Sequence, residues 1–535
     1  MQKVLLGVEA IAQGALDGGL SGVYSYPGTP STEITEYIQQ NKYATEKKIH
    51  SKWSANEKTA MESALGMSYA GKRSMACMKH VGLNVAADNF MNAAITGVNG
   101  GMLVVVADDP SMHSSQNEQD SRYFGRFAQI PILEPTNQQE AYDMAYYGFK
   151  LSEDLEVPIM IRITTRLAHS RAVVFFKDRT PENKLKLPKN TNQFILLPGI
   201  ARKQYKKLLN NQNKFEEISN NSIYNKYYNG KNKTIGIITC GITYNYLMEN
   251  FPEGSPYPIV KISQYPAPTT LIKKLSEETD KILVLEEGYP IIEELLLGLL
   301  KKEKVIGRLD DTLPRDGELT PDIIAKALNR PTKYGEDIPN IVQNRPPALC
   351  VGCGHHDVYR AMNEAIVKFG SGRVFSDIGC YTLGALEPYN AIDTCVDMGA
   401  SITMAKGAVD AGLSPVLAVI GDSTFSHSGI TGLLDAVIEK SAITIIISDN
   451  ESTSMTGGQE SSAKGKIEDI CLAIGVEKEH LHVINPVKKN HNEMVNMIKT
   501  ELDYNGVSVI IPRRICVQKN RRDIKSRQFK IAVMK

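Results

Sequence analysis

The sequence has little that points to a membrane, to secretion or to nucleic acid. Its 535 residues carry a formal net charge of +1, so no broad electrostatic field attracts a polyanion or an anionic lipid surface. No apolar run approaches the length of a membrane span. Glu9 and Asp17 interrupt the mildly apolar N-terminal stretch, which argues against a signal peptide. We therefore expect a cytoplasmic protein that binds neither nucleic acid nor membranes.

Disulfide bonds are not expected either, because eight cysteines in a long chain without a secretion signal indicate reduced thiols or metal ligands. A C-x2-C pair precedes a predicted helix and two distant cysteines follow predicted strands, and such a set can hold a 4Fe–4S cluster or a zinc ion. Ordinary buried cysteine, packed as a small hydrophobe, is the alternative. The four candidate ligands are Cys350, Cys353, Cys380 and Cys516. The other four are predicted to be core residues: Cys77, Cys240, Cys395 and Cys471.

Helical and strand patterns alternate along most of the chain, which is typical of parallel sheets covered by helices on both faces. The sequence therefore predicts an α/β fold with three doubly wound parallel-sheet units. The crossover between the first two units is polar and should carry one surface helix near 199–217, with a disordered segment as the alternative. The predicted boundaries are a first unit at 1–175, the crossover at 176–232, a second unit at 233–330, a linker at 331–347, a third unit at 348–517 and a basic tail at 518–535.

Two polar motifs at the ends of apolar strands are the most informative feature of the chain. A strand at 415–421 leads into Asp422, and a strand at 443–448 leads into Asp449 and Asn450. A helical crossover between the two strands makes them parallel, so both motifs lie at the edge where open α/β sheets bind ligands. A carboxylate and an amide oxygen there predict a Mg²⁺ site that leaves positions for water or phosphate. An ordinary βαβ turn is the alternative.

Polar segments also follow predicted strands in the N-terminal unit. Residues 26–31 (YPGTPS) predict a tight turn that exposes the Thr29 hydroxyl, with Ser31 as the N-cap of the next helix. Glu57 lies in the first turn of a predicted helix, where the helix dipole favours an anion. Arg122 could hold a substrate carboxylate through a bidentate fork, with a surface ion pair as the alternative. A helix cap and a routine N-terminal glutamate are the alternatives for the first two motifs.

These segments together resemble the large subunit of the indolepyruvate ferredoxin oxidoreductases, a branch of the thiamine-diphosphate-dependent 2-oxoacid:ferredoxin oxidoreductases. The most specific matches are NEKTAMESALGMSYAGKRSMACMKHVGLNVAAD from residue 56 and VVADDPSMHSSQNEQDSR from residue 105. The family's Gly-Asp-Gly motif is present with Ser423 in place of its last glycine, and MTGGQ at 455–459 also resembles the family. The resemblance covers nearly all of residues 1–517.

The resemblance implies that the first unit binds the aminopyrimidine of thiamine diphosphate and the third binds its diphosphate and Mg²⁺. Glu57 would act on the aminopyrimidine nitrogen, and burial would raise its pKa toward the range that this requires. The residues implied for the substrate are Thr29, which is also implied in catalysis, His80 and Arg122. Those implied for the cofactor, besides Glu57, are Gly421, Asp422, Ser423, Asn450, Ser452, Gly457 and Gln459, with Asp422, Asn450 and Ser452 as Mg²⁺ ligands.

The implied activity is the oxidative decarboxylation of arylpyruvates to aryl-acetyl-CoA and CO₂. The implied partners are a smaller beta subunit, ferredoxin and coenzyme A, in an oligomeric enzyme. The family's large subunit often ends in a ferredoxin-like domain with two C-x2-C-x2-C-x3-C runs, which this sequence lacks. Electrons should therefore leave through the four-cysteine site, a partner or a further domain. A non-oxidative 2-oxoacid decarboxylase and a non-catalytic assembly subunit are the alternatives.

Overall fold

The computed structural model of the chain describes residues 2–190, 192–298, 300, 302–332, 339, 341–342 and 347–524. The chain forms two compact units, one at residues 1–336 and the other at 337–535. No helix in the described ranges combines the length and the apolar character needed to cross a bilayer. Most of the linker predicted at 331–347, and the tail from residue 525 onward, lie outside the described residues.

The described strands of the first unit are β1 (Gln2–Leu6), β2 (Gly22–Ser25), β3 (His50–Trp53), β4 (Ser74–Lys79), β5 (Met102–Asp108), β6 (Ile132–Leu133), β7 (Ile159–Thr164), β8 (Arg171–Phe175), β9 (Lys226–Tyr228), β10 (Ile235–Cys240), β11 (Ile259–Ile262), β12 (Gln264–Tyr265), β13 (Lys281–Leu285) and β14 (Val305–Ile306).

Its described helices are α1 (Gly7–Asp17), α2 (Thr32–Gln40), α3 (Lys42–Glu46), α4 (Glu57–Tyr69), α5 (His80–Thr96), α6 (Arg122–Ala128), α7 (Gln138–Leu155), α8 (Thr165–His169), α9 (Pro198–Asn210), α10 (Gln212–Asn220), α11 (Thr243–Glu249), α12 (Thr269–Glu278), α13 (Ile291–Leu297) and α14 (Pro321–Ala327).

The main sheet of the first unit has seven strands in the order β12–β6–β7–β5–β4–β2–β3. All neighbouring strands are parallel except β12 and β6, which are antiparallel. The central strand β5 is buried along its whole length because helices cover both faces, which explains its nearly continuous apolar sequence MLVVVAD. Lys79 at the end of β4 pairs in register with Ala107, so the polar ends of β4 and β5 lie side by side.

A second sheet in the same unit has the order β14–β13–β10–β11–β9, parallel except for β9. The polar segment 176–232 supplies β9 and two helices instead of the one predicted near 199–217. The helix breaks because Asn211 ends α9 and is also the N-cap of α10, and asparagine is a weak helix former that suits helix ends. Strands β1 and β8 form a separate antiparallel pair.

The described part of the second unit forms a five-stranded parallel sheet and a small hairpin. The described strands are β15 (Val374–Ser376), β16 (Leu417–Gly421), β17 (Ile443–Ser448), β18 (Ser452–Thr453), β19 (Gln459–Glu460), β20 (Leu481–Ile484) and β21 (Val507–Pro512). The helices are α15 (His355–Ile366), α16 (Ala400–Asp410), α17 (Asp422–Thr424), α18 (Ile430–Ile438), α19 (Ile467–Ile474) and α20 (His491–Leu502), and residues 517–524 are also helical.

The parallel sheet of this unit has the order β15–β16–β17–β21–β20. The predicted pairing of the two strands that lead into Asp422 and Asn450 is confirmed, because β16 and β17 are parallel neighbours. The α/β class with three parallel-sheet units is confirmed as well, although the first two sheets belong to one compact unit.

Candidate functional site

Asp422 and Asn450 come together at the carboxyl edge of the second unit's sheet. Gly421, the last residue of β16, lies opposite Ser448, the last residue of β17. The Asp422 side chain is 1% exposed, and its Oδ2 atom has no hydrogen-bond partner in the described part of the chain. Burial, together with the neighbouring Asp449 carboxylate, raises the pKa of Asp422 to about 7. A buried carboxylate oxygen without a partner is costly and fits a cation at this place.

Asn450 is held with its oxygen fixed in position. Its Oδ1 atom accepts hydrogen bonds from the Ser452 backbone N–H at 3.0 Å and from the Ser452 hydroxyl at 3.1 Å. The hydroxyls of Ser423 and Thr453 are 2.7 Å apart, which connects the two polar motifs beyond the strand ends. The predicted Mg²⁺ residues are therefore gathered around one edge of the sheet.

Glycines at this edge allow the backbone to lie close to neighbouring side chains and to adopt tight turns. A Cβ atom on Gly421 would lie 2.6 Å from the Tyr381 ring, so a larger residue would collide there. Gly457 has φ of 129°, in the region that favours glycine. The next turn is fixed by Gln459, whose Nε2 donates to the Thr456 carbonyl oxygen at 3.0 Å. Gly457 and Gln459 thus belong to a shaped loop beside the Asp422 motif.

The four cysteines predicted as a group line one cavity of the second unit, together with Asn450. Cys350 and Cys353 stand before α15, and Cys516 precedes the helical residues 517–524. Among the described residues, no three His, Cys, Asp or Glu side chains have the arrangement of a ready metal site. The structure therefore gathers the four thiols around one space without fixing a cluster geometry.

The acidity of these thiols differs. Burial, reinforced by the neighbouring thiols, raises the pKa of Cys353 and raises that of Cys380 to about 12. Burial acts in the same direction on Cys516, but the Ser454 hydroxyl and nearby backbone N–H groups outweigh it and lower the pKa of Cys516. Cys516 is consequently the thiol that is most readily ionised among these three.

Three of the cysteines outside this cavity are buried as predicted: Cys77, Cys240 and Cys471. Cys395 is exposed, so its assignment to the core is wrong. Cys395 lies in the loop before α16, and the apolar residues near it in the sequence do not make this position part of the core.

Glu57 is a buried carboxylate at the edge of the first unit's main sheet. It is the first residue of α4 and is 4% exposed. The Asn56 side chain caps this helix by accepting from the Thr59 backbone N–H at 2.9 Å. A Cβ atom on Gly82 would lie only 2.6 Å from the Glu57 Oε1 atom. The glycine in the first turn of α5 therefore makes the space that the Glu57 carboxylate occupies.

The turn that carries Thr29 is built differently from the prediction. Ser31 does not cap α2, because its backbone is already helical and its hydroxyl donates to the Gly28 carbonyl oxygen at 2.7 Å. Ser31 thus stabilises the turn itself. The Thr29 carbonyl oxygen accepts from the Ser114 hydroxyl at 3.3 Å, so the turn is joined to the loop after β5.

His80 lies at the same edge and is 1% exposed. Its Nε2 donates to the Asn117 carbonyl oxygen at 3.2 Å, which makes Nδ1 the acceptor in the neutral ring. Within the described ranges, the His80 Nδ1, Asp108 Oδ1 and Ser121 Oγ atoms all lack a hydrogen-bond partner although they are buried. Unpartnered buried polar atoms are rare, and their presence here is typical of a place that receives water or a ligand group.

Arg122 does not fit its assignment to a substrate carboxylate. Its side chain is fully buried, and its guanidinium pairs with Asp120 at 2.5 Å and with Glu286 at 3.0 Å. It also donates to the Tyr265 hydroxyl at 3.2 Å. Burial opposes the charge, but the carboxylates around it, Asp120 first, hold the pKa of Arg122 well above its usual range. The guanidinium is therefore committed to partners within the first unit.

The Arg122 pair belongs to a larger buried network that the sequence interpretation missed. Arg162 in β7 pairs with Asp108 at 2.8 Å and with Glu134. The available signal was a single arginine inside the otherwise apolar strand IMIRIT, since a charge in a buried strand requires partners. Burial, opposed by Arg122, raises the pKa of Glu286 in this network to about 7.

The chain is similar to known proteins over most of its length. A family model for pyruvate flavodoxin/ferredoxin oxidoreductases, thiamine-diphosphate-binding, matches residues 13–220. A model for the C-terminal TPP-binding domain of thiamine pyrophosphate enzymes matches residues 377–511.

Two relatives that match nearly the whole chain have the same name. The indolepyruvate oxidoreductase subunit IorA of Methanothermobacter marburgensis is 38% identical over 96% of this chain and 86% of its own length. That of Archaeoglobus fulgidus is also 38% identical, with the same shares of each chain covered. A solved 2-oxoglutarate:ferredoxin oxidoreductase from Magnetococcus marinus is 17% identical over 61% of this chain and 65% of its own, with a TM-score of 0.48. The chain therefore belongs to the indolepyruvate oxidoreductase subunit IorA family of thiamine-diphosphate-dependent 2-oxoacid:ferredoxin oxidoreductases.

Proposed function

We propose that the chain is the thiamine-diphosphate-binding subunit of an enzyme that oxidises arylpyruvates. An arylpyruvate and coenzyme A would give aryl-acetyl-CoA, CO₂, a proton and two electrons for ferredoxin. The observation that carries the proposal is the buried, unpartnered Asp422 oxygen beside Asn450, inside the region matched by the thiamine-pyrophosphate model. The choice of an arylpyruvate as the substrate is supported by the names of the relatives, which refer to indolepyruvate.

The residues of the second unit fit a Mg²⁺–diphosphate group. Asp422 supplies the negative charge and Asn450 a neutral oxygen, which together leave coordination positions for phosphate and water. The Ser452 hydroxyl donates to Asn450 and keeps lone pairs that a metal can use. The glycine-rich loop with Gly457 and Gln459 would receive the diphosphate through its backbone.

The residues of the first unit would serve the aminopyrimidine and the substrate. Bound thiamine diphosphate supplies the electron acceptance that decarboxylation of a 2-oxo acid requires. The buried Glu57 carboxyl would hold a proton against the aminopyrimidine nitrogen. Thr29 and His80 would line the place of the substrate, where the buried His80 Nδ1 has no partner among the described residues.

The four-cysteine cavity would hold a 4Fe–4S cluster that takes the electrons. The proposal is supported by the lining of this cavity, which includes Asn450 of the proposed cofactor edge as well as the four cysteines. Thiolate ligation replaces the protons of the buried thiols, whose pKa values are otherwise raised at Cys353 and Cys380. As part of the same proposal, the enzyme works in the cytoplasm with a smaller subunit, ferredoxin and coenzyme A.

The test is an assay of the chain purified without oxygen together with its smaller subunit. Arylpyruvate-dependent and coenzyme-A-dependent ferredoxin reduction, with iron visible in the spectrum, is the expected result. Release of an aryl aldehyde without iron or ferredoxin reduction would instead identify a non-oxidative decarboxylase. Failure to bind thiamine diphosphate at all would identify a non-catalytic assembly subunit.

A further inference from the structure

We propose that Lys79 supplies the positive charge that binds the carboxylate of the 2-oxo acid, an inference that rests on the proposed function. A 2-oxo acid is an anion, and its carboxylate needs a charged or hydrogen-bonding partner when it leaves water. Arg122 was the candidate from the sequence, but all sides of its guanidinium contact protein groups. The chain therefore needs another cation near Thr29.

Lys79 stands where ligands of parallel sheets bind. It is the last residue of β4 and directly precedes α5. The aliphatic part of its side chain packs on the turn that carries Thr29. It lies so close to Gly28 that a Cβ atom added there would be 3.3 Å from the Lys79 Cγ atom. The carboxyl end of a strand and the start of a helix thus bring its ammonium group to the edge with Thr29 and Glu57.

The ammonium group of Lys79 has spare hydrogen-bonding capacity. Its Nζ donates to the Ser114 carbonyl oxygen at 3.1 Å, and Ser114 in turn donates to the Thr29 carbonyl oxygen at 3.3 Å. In the part of the chain that the structure describes, no carboxylate lies within 4.0 Å of this Nζ atom. An ammonium has three donors, so two remain for an incoming carboxylate.

Arg122 and Arg162, the other cations named at this edge, are in a different situation. Each is fully buried and paired with at least two carboxylates. Lys79 is half-buried, and the charges of Asp109 and Glu57 act on it without a direct ion pair. Burial, only partly opposed by those two charges, lowers the pKa of Lys79. An anionic group arriving at the ammonium would offset that penalty.

A second observation points to a ligand at the same place. α5 is a helix of 17 residues whose first residue is His80, so its N-terminus favours an anion next to Lys79. The His80 Nδ1 atom is buried and has no partner among the described residues. Lys79 thus offers a positive charge and free N–H donors for a carboxylate, and the residue that follows it has a buried acceptor that a ligand group or a water can satisfy.

The experiment uses the complete complex with thiamine diphosphate and Mg²⁺. It measures kcat and KM for an arylpyruvate, and by calorimetry the Kd of a 3-arylpropionate, which has the carboxylate but no oxo group. In Lys79→Met both KM and this Kd should rise about 10- to 100-fold, the loss expected for a charge-assisted hydrogen bond. Lys79→Arg should recover part of the affinity. Lys150→Met, which removes an exposed charge from α7, should match the wild type.

The matched 3-arylpropanol separates charge from shape. Its Kd should be the same in the wild type and in Lys79→Met, because it carries no carboxylate. An unchanged Kd of the arylpropionate in Lys79→Met overturns the assignment even when the wild type oxidises arylpyruvates. A wild-type complex that oxidises no 2-oxo acid overturns the proposed function and the role of Lys79 with it.

If Lys79→Met does not fold, the role of Lys79 can still be tested on the wild-type complex. The complex is treated with an amine-specific reagent, and the labelling of Lys79 is followed by mass spectrometry. The arylpropionate should protect Lys79 several-fold, whereas the arylpropanol should not. Equal labelling with and without the arylpropionate overturns the assignment.

Discussion

Asp422 and Asn450 lie side by side because the strands that precede them end in register, with Gly421 opposite Ser448. Asp422 contributes a buried oxygen without a partner, and Asn450 contributes an oxygen fixed by Ser452. The two motifs thus bring a buried carboxylate and a fixed amide oxygen to the same edge of the sheet. This is the arrangement on which the proposed Mg²⁺–diphosphate site depends.

Replacing Asp422 by alanine should remove cofactor binding and leave the fold intact. The variant loses the only formal charge of the proposed Mg²⁺ shell, so we expect the affinity for thiamine diphosphate with Mg²⁺ to fall about 10- to 100-fold or more. Calorimetry on the full chain measures it. Asp435→Ala, which changes an exposed aspartate in α18, is the control. Equal affinity in Asp422→Ala and the control would contradict the assignment.

Glu57→Gln should separate catalysis from folding. The amide has nearly the same size and polarity as the carboxyl group but cannot provide its proton, and general acid–base groups contribute about 10²–10⁴-fold to rates. We expect turnover to drop by that order, with cofactor affinity and melting temperature close to the wild type. Glu62→Gln changes an exposed glutamate of the same helix and should keep full turnover. Wild-type turnover in Glu57→Gln would remove Glu57 from the reaction.

Arg122→Met should cost stability, because the role of Arg122 is to neutralise buried carboxylates. Its loss leaves Asp120 and Glu286 without their main partner, and breaking a buried ion pair in this way costs about 3–5 kcal/mol. Chemical denaturation measures this, with Arg126→Met, an exposed arginine of α6, as the control. A stable Arg122→Met protein with a raised KM for the 2-oxo acid would instead restore the substrate role.

The sequence predicts best what depends on local pattern. The apolar run ITIIIS at 443–448 is a strand with those bounds, and the polar residues after it lie at the predicted edge. The prediction that Cys350, Cys353, Cys380 and Cys516 form one group used only their positions before a helix or after strands, and the four do line one cavity. A buried parallel strand is a continuous apolar run, and its polar end marks the edge of the sheet, so both can be read from neighbours in the chain.

Tertiary partners are what the sequence could not show. Lys79 ends β4 and Arg122 begins α6 after the loop that follows β5, so local pattern offers no reason to prefer one of them as the open cation. The difference arises from Glu286, which is distant in the chain and pairs with Arg122 but not with Lys79. In the same way, the single helix expected near 199–217 divides at Asn211 because that residue ends one helix and starts the next.

The buried network should make stability depend on pH through Glu286. Burial raises the pKa of Glu286 to about 7, above its ordinary value of 4.5, so the folded state binds this proton more tightly than the unfolded state. The stabilising contribution is complete below about pH 4.5 and is lost as the pH rises through 7. Between pH 5 and 9, the free energy of unfolding of the wild type should fall by about 1–3 kcal/mol relative to Glu286→Gln.

Denaturant titrations at several pH values measure this difference. Glutamine keeps an oxygen that can accept from the Ile292 and Glu293 backbone N–H groups, as Glu286 does at 3.1 Å. Glu277→Gln changes an exposed glutamate in α12 and should follow the wild-type curve. If Glu286→Gln also ran parallel to the wild type at every pH, Glu286 would not titrate in this range.

The cysteines around the second unit's cavity should behave as one centre. If Cys350, Cys353, Cys380 and Cys516 share a cluster, any single change to alanine loses most of the bound iron and most of the ferredoxin reduction, because a cluster needs all its ligands. Iron and sulfide analysis of the four variants, purified without oxygen, measures this. Cys395→Ala, at the exposed cysteine outside the cavity, should retain full iron.

Full iron in one of the four variants excludes that residue as a ligand, and four unequal, mild losses would identify ordinary structural cysteines. A wild-type chain without iron would leave a partner subunit as the electron route.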